Sequence, residues 1–545
     1  MTCAGLEMKV HAALAATLAD HDVTTMFGVL GDGNMFLVES FAREQGGRYV
    51  AAANEAGAVL MAAGFASASG TVGVATVTHG PGLANTLGAL LSTSREHMPI
   101  VVLTGAIAVR GHTQNVDQAA LVSPTGAGFE QALSAKTAPA ELGRALRRAL
   151  AERRPIVFSV PVDFTFEDAE YAPTARQALP VSQGVRPADE AMDVAVGLIA
   201  SSRRPIVLAG AGAISSTAPS SLRRLAEVLG APLMTTLPAK GLFGYDKYDL
   251  GVFGSFSTPR AVDAIMASDC IVAVGASLSR LTGGGEGWAY FAGKRIVHCD
   301  INLRTMGSQY EADAPVAADA TAFADAVVEL LHEAEYTGTN FRNTIAAEDE
   351  PVIAAAKDDV ARAESVDLAT AMTTLNAALP AERSIAVDSG RFVSEAVQRL
   401  AVPRAQAWAH AGRGLGAVGN GLSTAVGIGC ARPDAPVVAV VGDGAFMLGG
   451  LAEFNTAVRH CVDLTVVVCN DGSYGAEYRK LKARDVDVDV SLFQWPDFAP
   501  VAIALGGSGF TVRNMADLAR IGDVIAQRDR PLLIDIKLEP EKVVG

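Results

Sequence analysis

Runs of apolar, β-branched residues alternate with segments of helical periodicity along most of the chain. The pattern is clearest in residues 436–472, where Val437 to Val441 and Leu464 to Cys469 are apolar runs of strand length. Such runs suit parallel strands that are buried on both faces of a sheet. Between them, Leu451 to Val458 carries apolar residues at helical spacing. The sequence therefore predicts a βαβ unit in this region.

The same alternation predicts further strands and helices before this unit. The predicted strands include Thr24 to Leu30, Val72 to Thr78 and Pro99 to Gly105, and the predicted helices include Lys9 to Leu18 and Ala56 to Ala68. Residues 171–190 and 333–365 are polar or rich in Pro and read as linkers. We therefore predict an α/β fold of three doubly wound parallel-sheet domains, in residues 1–170, 188–335 and 365–545.

The composition fits a compact enzyme with several domains. Of the 545 residues, 50% are hydrophobic and 54 are glycine, and the net charge is −15. A chain of this length is too long for a single hydrophobic core. The acidic balance argues against binding of nucleic acid, because neutralising phosphates requires clustered Lys and Arg.

Cysteine usage and hydropathy indicate a protein of a reducing compartment. The six cysteines are scattered and lack the paired spacing of a metal finger. The first 30 residues lack the layout of a signal peptide. No apolar run approaches the roughly 18 residues that span a bilayer. We therefore expect a cytoplasmic protein without a membrane partner.

Candidate metal ligands follow both strands of the βαβ unit. The first strand ends at Gly442-Asp443-Gly444 and the second at Asn470-Asp471-Gly472. Ligands bind at the carboxyl ends of parallel strands in such units. Asp443 and Asn470 offer side-chain oxygens and Gly472 a backbone carbonyl, and these hard donors suit Mg²⁺. The glycines of the first turn would let phosphates approach the backbone where the next helix begins.

Either turn alone is common after a strand, but their spacing is specific. Twenty-five residues lie between Gly444 and Asn470, and this arrangement resembles the diphosphate and Mg²⁺ motif of thiamine diphosphate (ThDP) enzymes. The resemblance extends over nearly the whole chain to the acetolactate synthase and pyruvate decarboxylase superfamily. It implies a pyrimidine-binding first domain, a central Rossmann-like domain and a diphosphate-binding last domain, with ThDP and Mg²⁺ as cofactors.

The resemblance also implies a set of cofactor contacts in the last domain. The carbonyl of Gly416 would accept a hydrogen bond from the aminopyrimidine, and Val418, smaller than the Met or Ile frequent in the family, would support the bent cofactor. The implied cofactor-binding residues here are Gly390, Arg391, Phe392, Gly416, Val418, Gly442, Asp443, Gly444, Ala445, Asn470, Gly472, Ser473 and Tyr474. The metal ligands among them are Asp443, Asn470 and Gly472.

Glu55 is the strongest candidate in the first domain. It stands between a predicted strand and an almost wholly apolar helix, where a charge is costly without a partner or a role. A helix N-terminus by itself also favours an acidic residue. In the resembled family, a glutamate at this place binds the pyrimidine and activates the cofactor carbon that attacks the substrate.

Further polar residues resemble the proton-transfer groups of the pyruvate decarboxylase branch. Asp32 ends a Phe-Gly-Val-Leu-Gly-Asp segment, His112 lies in a Gly-His-Thr segment, and Glu477 follows the second turn. The sequence departs from this branch at Gly111, which replaces the first His of a pair, and in one additional residue before Glu477. The implied catalytic residues are Asp32, Glu55, His79, His112, Gln114 and Glu477.

The resemblance implies Mg²⁺- and ThDP-dependent decarboxylation of a 2-oxo acid through a carbanion and an enamine, with release of an aldehyde or carboligation to an acyloin. An acetolactate synthase-like carboligase or a C–C lyase is the alternative, since Gln114 to Asp117 followed by Pro124 resembles an FQxxD…P segment. Thr113 and Ala127 depart from that branch, which carries Phe and often a cationic residue at these places.

A non-catalytic regulatory protein of the same fold is a second alternative. Such a protein would have no need of Glu55, Asp443 and Asn470 together. The sequence leaves the substrate side chain open. It also leaves open whether the central domain holds FAD, because the Gly210 to Gly212 turn lacks a third glycine at dinucleotide spacing. Family active sites are shared between subunits, so we expect at least a homodimer and commonly a homotetramer.

Overall fold

Three six-stranded parallel sheets, each flanked by helices, form the protein. The structure, a computed structural model, describes residues 6–107, 109, 111–173, 184–215, 217–244, 246–345 and 365–541. Neighbouring strands in each large sheet run parallel, and the predicted fold class is confirmed. Residues 174–183 and 346–364 of the predicted linkers lie outside the described ranges. No helix of the described residues is both long and apolar enough to cross a membrane.

The first sheet lies within residues 25–161. The strands of this region are β1 Leu6–Lys9, β2 Thr25–Gly28, β3 Arg48–Ala51, β4 Gly73–Val77, β5 Ile100–Ala106, β6 Gly128–Gln131, β7 Ile156–Pro161 and β8 Asp168–Tyr171. The helices are α1 Val10–Asp20, α2 Met35–Arg43, α3 Glu55–Ser69, α4 Pro81–Ala84, α5 Leu87–Arg95, α6 Gln118–Val122 and α7 Ala138–Glu152. The strand order is β3-β2-β4-β5-β7-β6, and β1 pairs antiparallel with β8. The turns after β2, β4 and β5 therefore lie at one edge.

The second sheet lies within residues 205–317. Its strands are β9 Pro205–Ala209, β10 Leu233–Thr235, β11 Asp249–Val252, β12 Cys270–Val274, β13 Arg295–Asp300 and β14 Ala314–Ala317. The helices are α8 Asp189–Ala200, α9 Ala218–Leu229, α10 Pro259–Ala267, α11 Ala320–Glu333 and α12 Phe341–Thr344. The strand order is β11-β10-β9-β12-β13-β14. At the switch point between β9 and β12, a Cβ on Gly210 would lie 2.1 Å from the carbonyl oxygen of Gly275, so these two turns touch through backbone.

The third sheet lies within residues 384–537. Its strands are β15 Ser384–Val387, β16 Trp408–His410, β17 Val437–Gly442, β18 Leu464–Asn470, β19 Ser508–Val512 and β20 Leu532–Lys537. The helices are α13 Leu368–Ala378, α14 Val393–Arg399, α15 Gly421–Ala431, α16 Asp443–Ala445, α17 Leu451–Arg459, α18 Gly475–Lys482, α19 Phe498–Ala504, α20 Met515–Ala519 and α21 Ile521–Ala526. The strand order is β16-β15-β17-β18-β20-β19, so β17 and β18 are neighbours.

Helical backbone begins earlier after β17 than the sequence predicted. Periodicity placed the helix from Leu451, but α16 begins at Asp443 and a π-helical turn, Phe446–Gly450, joins it to α17. Three glycines in residues 444–450 weaken the periodic signal there. Short π segments within helices occur frequently at functional sites. The helical segment thus starts at a predicted metal ligand.

Helices α3 and α15 join the first domain to the third. Helix α3 is capped by the Asn54 side chain, which accepts a hydrogen bond from the Gly57 backbone, and it ends at Gly70 in the left-handed region. Its buried small residues pack directly on α15. A Cβ on Gly64 would lie 2.1 Å from the Thr424 carbonyl oxygen, so the two backbones nearly touch. One hydrophobic core therefore runs continuously through both domains.

Candidate active site

The three predicted metal ligands lie together at the carboxyl edge of the third sheet. Because Gly442 on β17 pairs with Cys469 on β18, Asp443 and Asn470 follow neighbouring strands. One Asp443 carboxylate oxygen accepts a hydrogen bond from the Gly472 N–H at 2.7 Å, and the other accepts from its neighbour Gly444 at 2.8 Å. The local geometry therefore ties both turns to one carboxylate.

The oxygen of Asn470, rather than its nitrogen, is left for a ligand. Its amide nitrogen donates to the buried Asp535 carboxylate at 2.9 Å, which fixes the orientation of the amide. The carbonyl of Gly472 accepts from the Phe493 N–H at 2.7 Å and retains a second lone pair. One carboxylate, one amide oxygen and one backbone carbonyl are thus available at this edge.

Negative charge accumulates at the same place. Asp443 is buried, and this burial raises its pKa to about 7, with the Asp471 carboxylate adding to the shift. Asp471 itself pairs with Arg391 at 2.7 Å, and both side chains are nearly buried. A bound cation would offset the cost of ionising Asp443 in this environment.

The predicted diphosphate turn Gly390 to Phe392 is held mainly by its own side chains. The Phe392 ring is buried and lies against Gly442, where an added Cβ would be 3.2 Å from the ring. The Arg391 guanidinium is occupied by Asp471 and by the Pro540 carbonyl, at 2.7 and 2.9 Å. Gly390 and Phe392 can therefore contact a ligand only through their backbone groups.

The glycine-rich turn at residues 412–421 is organised by Asp388. This buried carboxylate accepts hydrogen bonds from the backbone N–H groups of Gly419 and Gly421 at 3.1 and 2.7 Å. Burial raises the pKa of Asp388 to about 6, although these backbone donors oppose the shift. Gly416 has a positive φ and open space around it, and Val418 is 44% exposed. Both residues are accessible to a ligand.

The segment after β18, which includes Ser473 and Tyr474, packs beside the Asp443 turn. A Cβ on Gly444 would lie 2.9 Å from the Tyr474 ring, so the ring packs closely against this glycine. The hydroxyl of the buried Ser473 donates to Asp471 at 2.8 Å. Tyr474 is half exposed and packs on Phe493. Ala445 is buried in the first turn of α16.

The predicted catalytic residues of the first domain also lie near one another. His79 is buried, and its Nε2 is 2.8 Å from Oε1 of Gln114, whose backbone N–H donates to His112. The turn that carries Asp32 contacts His79, because a Cβ on Gly33 would lie 2.6 Å from its Nδ1. The other ring nitrogen of His79 is buried without a partner among the described residues. These groups all lie at the edge formed by the ends of β2, β4 and β5.

Glu55 belongs to the same edge. It is the first residue of α3, and its carboxylate accepts a hydrogen bond from Asn85 at 3.2 Å. Gly82, in the turn after His79, lies close to the same carboxylate. Glu477, in contrast, is exposed on α18 of the third domain. Within the described ranges, no hydrogen bond or ion pair joins the predicted catalytic residues of the first domain to the predicted metal ligands.

Sequence reasoning missed three buried carboxylates that organise these groups. Asp388 holds the glycine-rich turn, Asp535 orients Asn470, and Glu453 binds backbone N–H groups just before Glu55. Asp535 interrupts the apolar run Leu532 to Ile536, and this interruption is the signal that could have found it. The signal for Glu453 is weaker, since an acid on an amphipathic helix is usually exposed.

Comparisons with known proteins agree with this architecture. Three family profiles match, namely the N-terminal TPP binding domain of thiamine pyrophosphate enzymes at residues 8–123, their central domain at 192–327 and their C-terminal TPP binding domain at 388–536. The matched segments fall on the three sheets described above. The two outer profiles include the turns that carry Glu55 and Asp443.

Relatives named as acetolactate synthases or as a decarboxylase align over nearly the whole chain. An acetolactate synthase of Mycobacterium leprae is 27% identical, over 95% of this chain and 85% of the relative. The acetolactate synthase large subunit IlvG of Mycobacterium tuberculosis is 28% identical, over 98% and 96%. A probable 2-ketoarginine decarboxylase, AruI of Pseudomonas aeruginosa, is 27% identical, over 93% and 90%. The chain therefore belongs to the thiamine diphosphate-dependent enzymes of the acetolactate synthase and pyruvate decarboxylase superfamily.

Proposed function

We propose that the protein decarboxylates a 2-oxo acid with ThDP and Mg²⁺, releasing an aldehyde or joining the product to a second carbonyl compound. The observation that carries this proposal is the grouping of Asp443, Asn470 and Gly472 at one sheet edge, linked by the 2.7 Å hydrogen bond. A buried carboxylate beside a second carboxylate favours a bound cation.

The donor set fits Mg²⁺ bound together with a diphosphate. Asp443, Asn470 and Gly472 would supply three oxygens, and Mg²⁺ commonly fills its remaining positions with phosphate oxygens and water. The helical segment that begins at Asp443 directs its first N–H groups toward the same edge, which favours an anion there. Gly444 has no side chain, and the Tyr474 ring occupies the space that a Cβ on this residue would enter.

When bound, ThDP supplies the carbon nucleophile and takes up the electron pair released as CO₂ leaves. Glu55 would hold the proton at the pyrimidine ring nitrogen, and the carbonyl of Gly416 would accept a hydrogen bond from the amino group. Val418, which is 44% exposed, would support the cofactor between these contacts. The buried, half-satisfied His79 would be available to donate or accept a proton near the substrate.

Asp32, His112 and Gln114 would complete the proton transfer that releases the product. The hydrogen bonds that link His112, Gln114 and His79 support a shared role at this edge. Glu477 would reach the same product from α18 of another subunit. Proton transfer by positioned side chains contributes about 10²- to 10⁴-fold to such steps.

We propose at least a homodimer, because within the described ranges of one chain no hydrogen bond or ion pair joins the Glu55 group to the metal ligands. Glu55 of one subunit would meet Asp443 of another. Exposed apolar side chains lie near both groups, since Leu30 after β2 is 57% exposed and Leu448 after β17 is 72% exposed. Such exposed apolar residues support the burial of these surfaces against another subunit. A monomer with full activity in size-exclusion light scattering would contradict this arrangement.

Acetolactate synthase-like carboligation is the second candidate, and it rests on the names of the relatives. Ala127 is buried in the core, so residue 127 itself supplies no cationic side chain to bind a second acid. Three relatives are named large subunits, and co-purification tests whether a small subunit binds this chain as well. The visible spectrum of the purified protein would reveal FAD in the central domain.

A panel of aliphatic, aromatic and acidic 2-oxo acids, assayed with Mg²⁺ and ThDP, tests the proposal. We expect CO₂ and an aldehyde from at least one acid, whereas CO₂ with a carboligation product and no aldehyde would favour the synthase alternative. Glu55→Gln should lower turnover by about 100-fold or more, and the exposed control Glu7→Gln should not. Unchanged turnover in Glu55→Gln would show that the assignment is wrong.

A further inference from the structure

The turn that precedes Glu55 is held by the third domain of the same chain. These contacts come from helix α17 and from His460, the residue that follows it. His460 Nε2 accepts from the Ala51 N–H at 3.1 Å, and Arg459 donates to the Ala51 carbonyl at 2.8 Å. The Glu453 carboxylate accepts from the Ala53 N–H at 3.1 and 3.2 Å. It also accepts from the Asn54 N–H at 3.2 Å.

Glu453 is the central member of this group. It is completely buried, and its remaining partner is the Thr456 hydroxyl at 2.7 Å. Burial raises its pKa above the ordinary value, and the donors from Thr456, Ala53 and Asn54 oppose that shift. A Cβ on Gly57 would lie 2.1 Å from its Oε1, so the first turn of α3 is shaped around the carboxylate.

The helical segment that carries Glu453 connects the predicted metal ligand Asp443 to the turn before Glu55. It begins at the predicted metal ligand Asp443, passes through the π-helical turn Phe446–Gly450, and presents Glu453 ten residues later. Glu453 binds the two residues immediately before Glu55. A buried carboxylate with several backbone donors is a rigid anchor, because each such charged hydrogen bond is strong and costly to break.

We infer that Glu453 is a positioning residue for Glu55, fixing the start of α3 so that the Glu55 carboxylate is held in its working orientation. The inference rests on the proposed function, since it assigns the role of Glu55. It also implies that in a dimer with shared sites one helical segment serves two of them, anchoring the metal in one and Glu55 in the other.

Glu453→Gln tests the inference because it keeps shape and removes the charge and one acceptor. In the protein without cofactor, we expect amide hydrogen exchange in residues 48–57 to rise by about tenfold or more. With cofactor, we expect kcat to fall by about 10- to 100-fold, while the Kd for Mg²⁺ with ThDP stays within about threefold. The control is Glu141→Gln, another buried carboxylate that accepts a backbone N–H, at 3.0 Å from Leu133.

Gly57→Ala probes the same contact from the other side without removing a charge. The added methyl must displace Glu453, so its effects should match those of Glu453→Gln and should not add to them in the double variant. If residues 48–57 exchange no faster in either variant, or if kcat is retained, the inference is overturned. If Glu55→Gln itself leaves turnover intact, the proposed function fails instead, and that result is distinguishable.

Discussion

Gly427→Ala should loosen the joint between the first and third domains. Gly427 lies in α15 where it crosses α3, and an added Cβ would be 1.9 Å from the Met61 carbonyl oxygen. It would also lie 2.7 and 2.8 Å from two further backbone atoms of Met61. Since all three atoms are main chain, a rotamer change cannot relieve the overlap, and the helices must separate.

The expected cost follows from this geometry. Reaching an ordinary contact of 3.4 Å from 1.9 Å requires a local separation of 1.5 Å. A gap of that size removes more than half of the dispersion energy between facing atoms, and overpacking a core typically costs about 1–3 kcal/mol. Alanine returns about 1 kcal/mol through its helix propensity. Taking the upper end of the cost, we expect a net loss of about 2 kcal/mol.

Urea unfolding followed by circular dichroism measures this change. At about 2–3 kcal/mol per molar, the transition should move down by roughly 0.7–1 M. Gly197→Ala in α8 is the matched control, because a Cβ there meets nothing within 4 Å and should stabilise by about 1 kcal/mol. An unchanged midpoint for Gly427→Ala, or destabilisation by the control, would refute the close-packing argument.

Three further predictions concern the edge of the third sheet. Asn470→Ala should raise the Mg²⁺ concentration for half-maximal ThDP binding by about tenfold, as measured by calorimetry, and chelation should release the cofactor; unaltered Mg²⁺ dependence would contradict the metal site. Arg391→Met should destabilise by about 3 kcal/mol because it leaves Asp471 buried without its cationic partner. Adding Asp471→Asn should restore much of this loss in thermal unfolding. The pKa of Asp388 is raised from 3.8 to about 6, so the folded state binds this proton more tightly than the unfolded state does. The contribution of Asp388 to the free energy of unfolding should therefore fall by about 3 kcal/mol as the pH rises from about 4 to about 6, and it should stay constant at higher pH. Asp388→Asn should flatten that pH dependence in urea titrations, and an identical profile would show that another group titrates.

Local pattern sufficed for the elements that carry the site. The apolar runs on either side of α17 predicted β17 and β18, and the observed strands Val437–Gly442 and Leu464–Asn470 extend those runs by one residue each. Because a buried parallel strand requires continuous apolar residues, its end can be read from a short window. The grouping of Asp443 with Asn470 followed from the rule that parallel strands end at the same edge.

The start of the helix after β17 could not be predicted from local sequence pattern. Glycines hid the α16 segment and the π-helical turn, so the start of helical backbone was predicted eight residues late, at Leu451 instead of Asp443. The sequence also could not reveal that Arg391 turns toward Asp471 or that the Phe392 ring is buried. Those orientations depend on side chains that arrive from other parts of the chain.

The sequence by itself determined the three-domain α/β fold, the spacing of the two strand-end turns and the unusual place of Glu55. Only the tertiary structure decided what holds these groups in place. Ala53 and Glu453 are separated by 400 residues, and Asn470 and Asp535 by 65. Periodicity reports which face of an element is buried, but a buried carboxylate takes its partner from whatever backbone the fold brings within hydrogen-bonding distance.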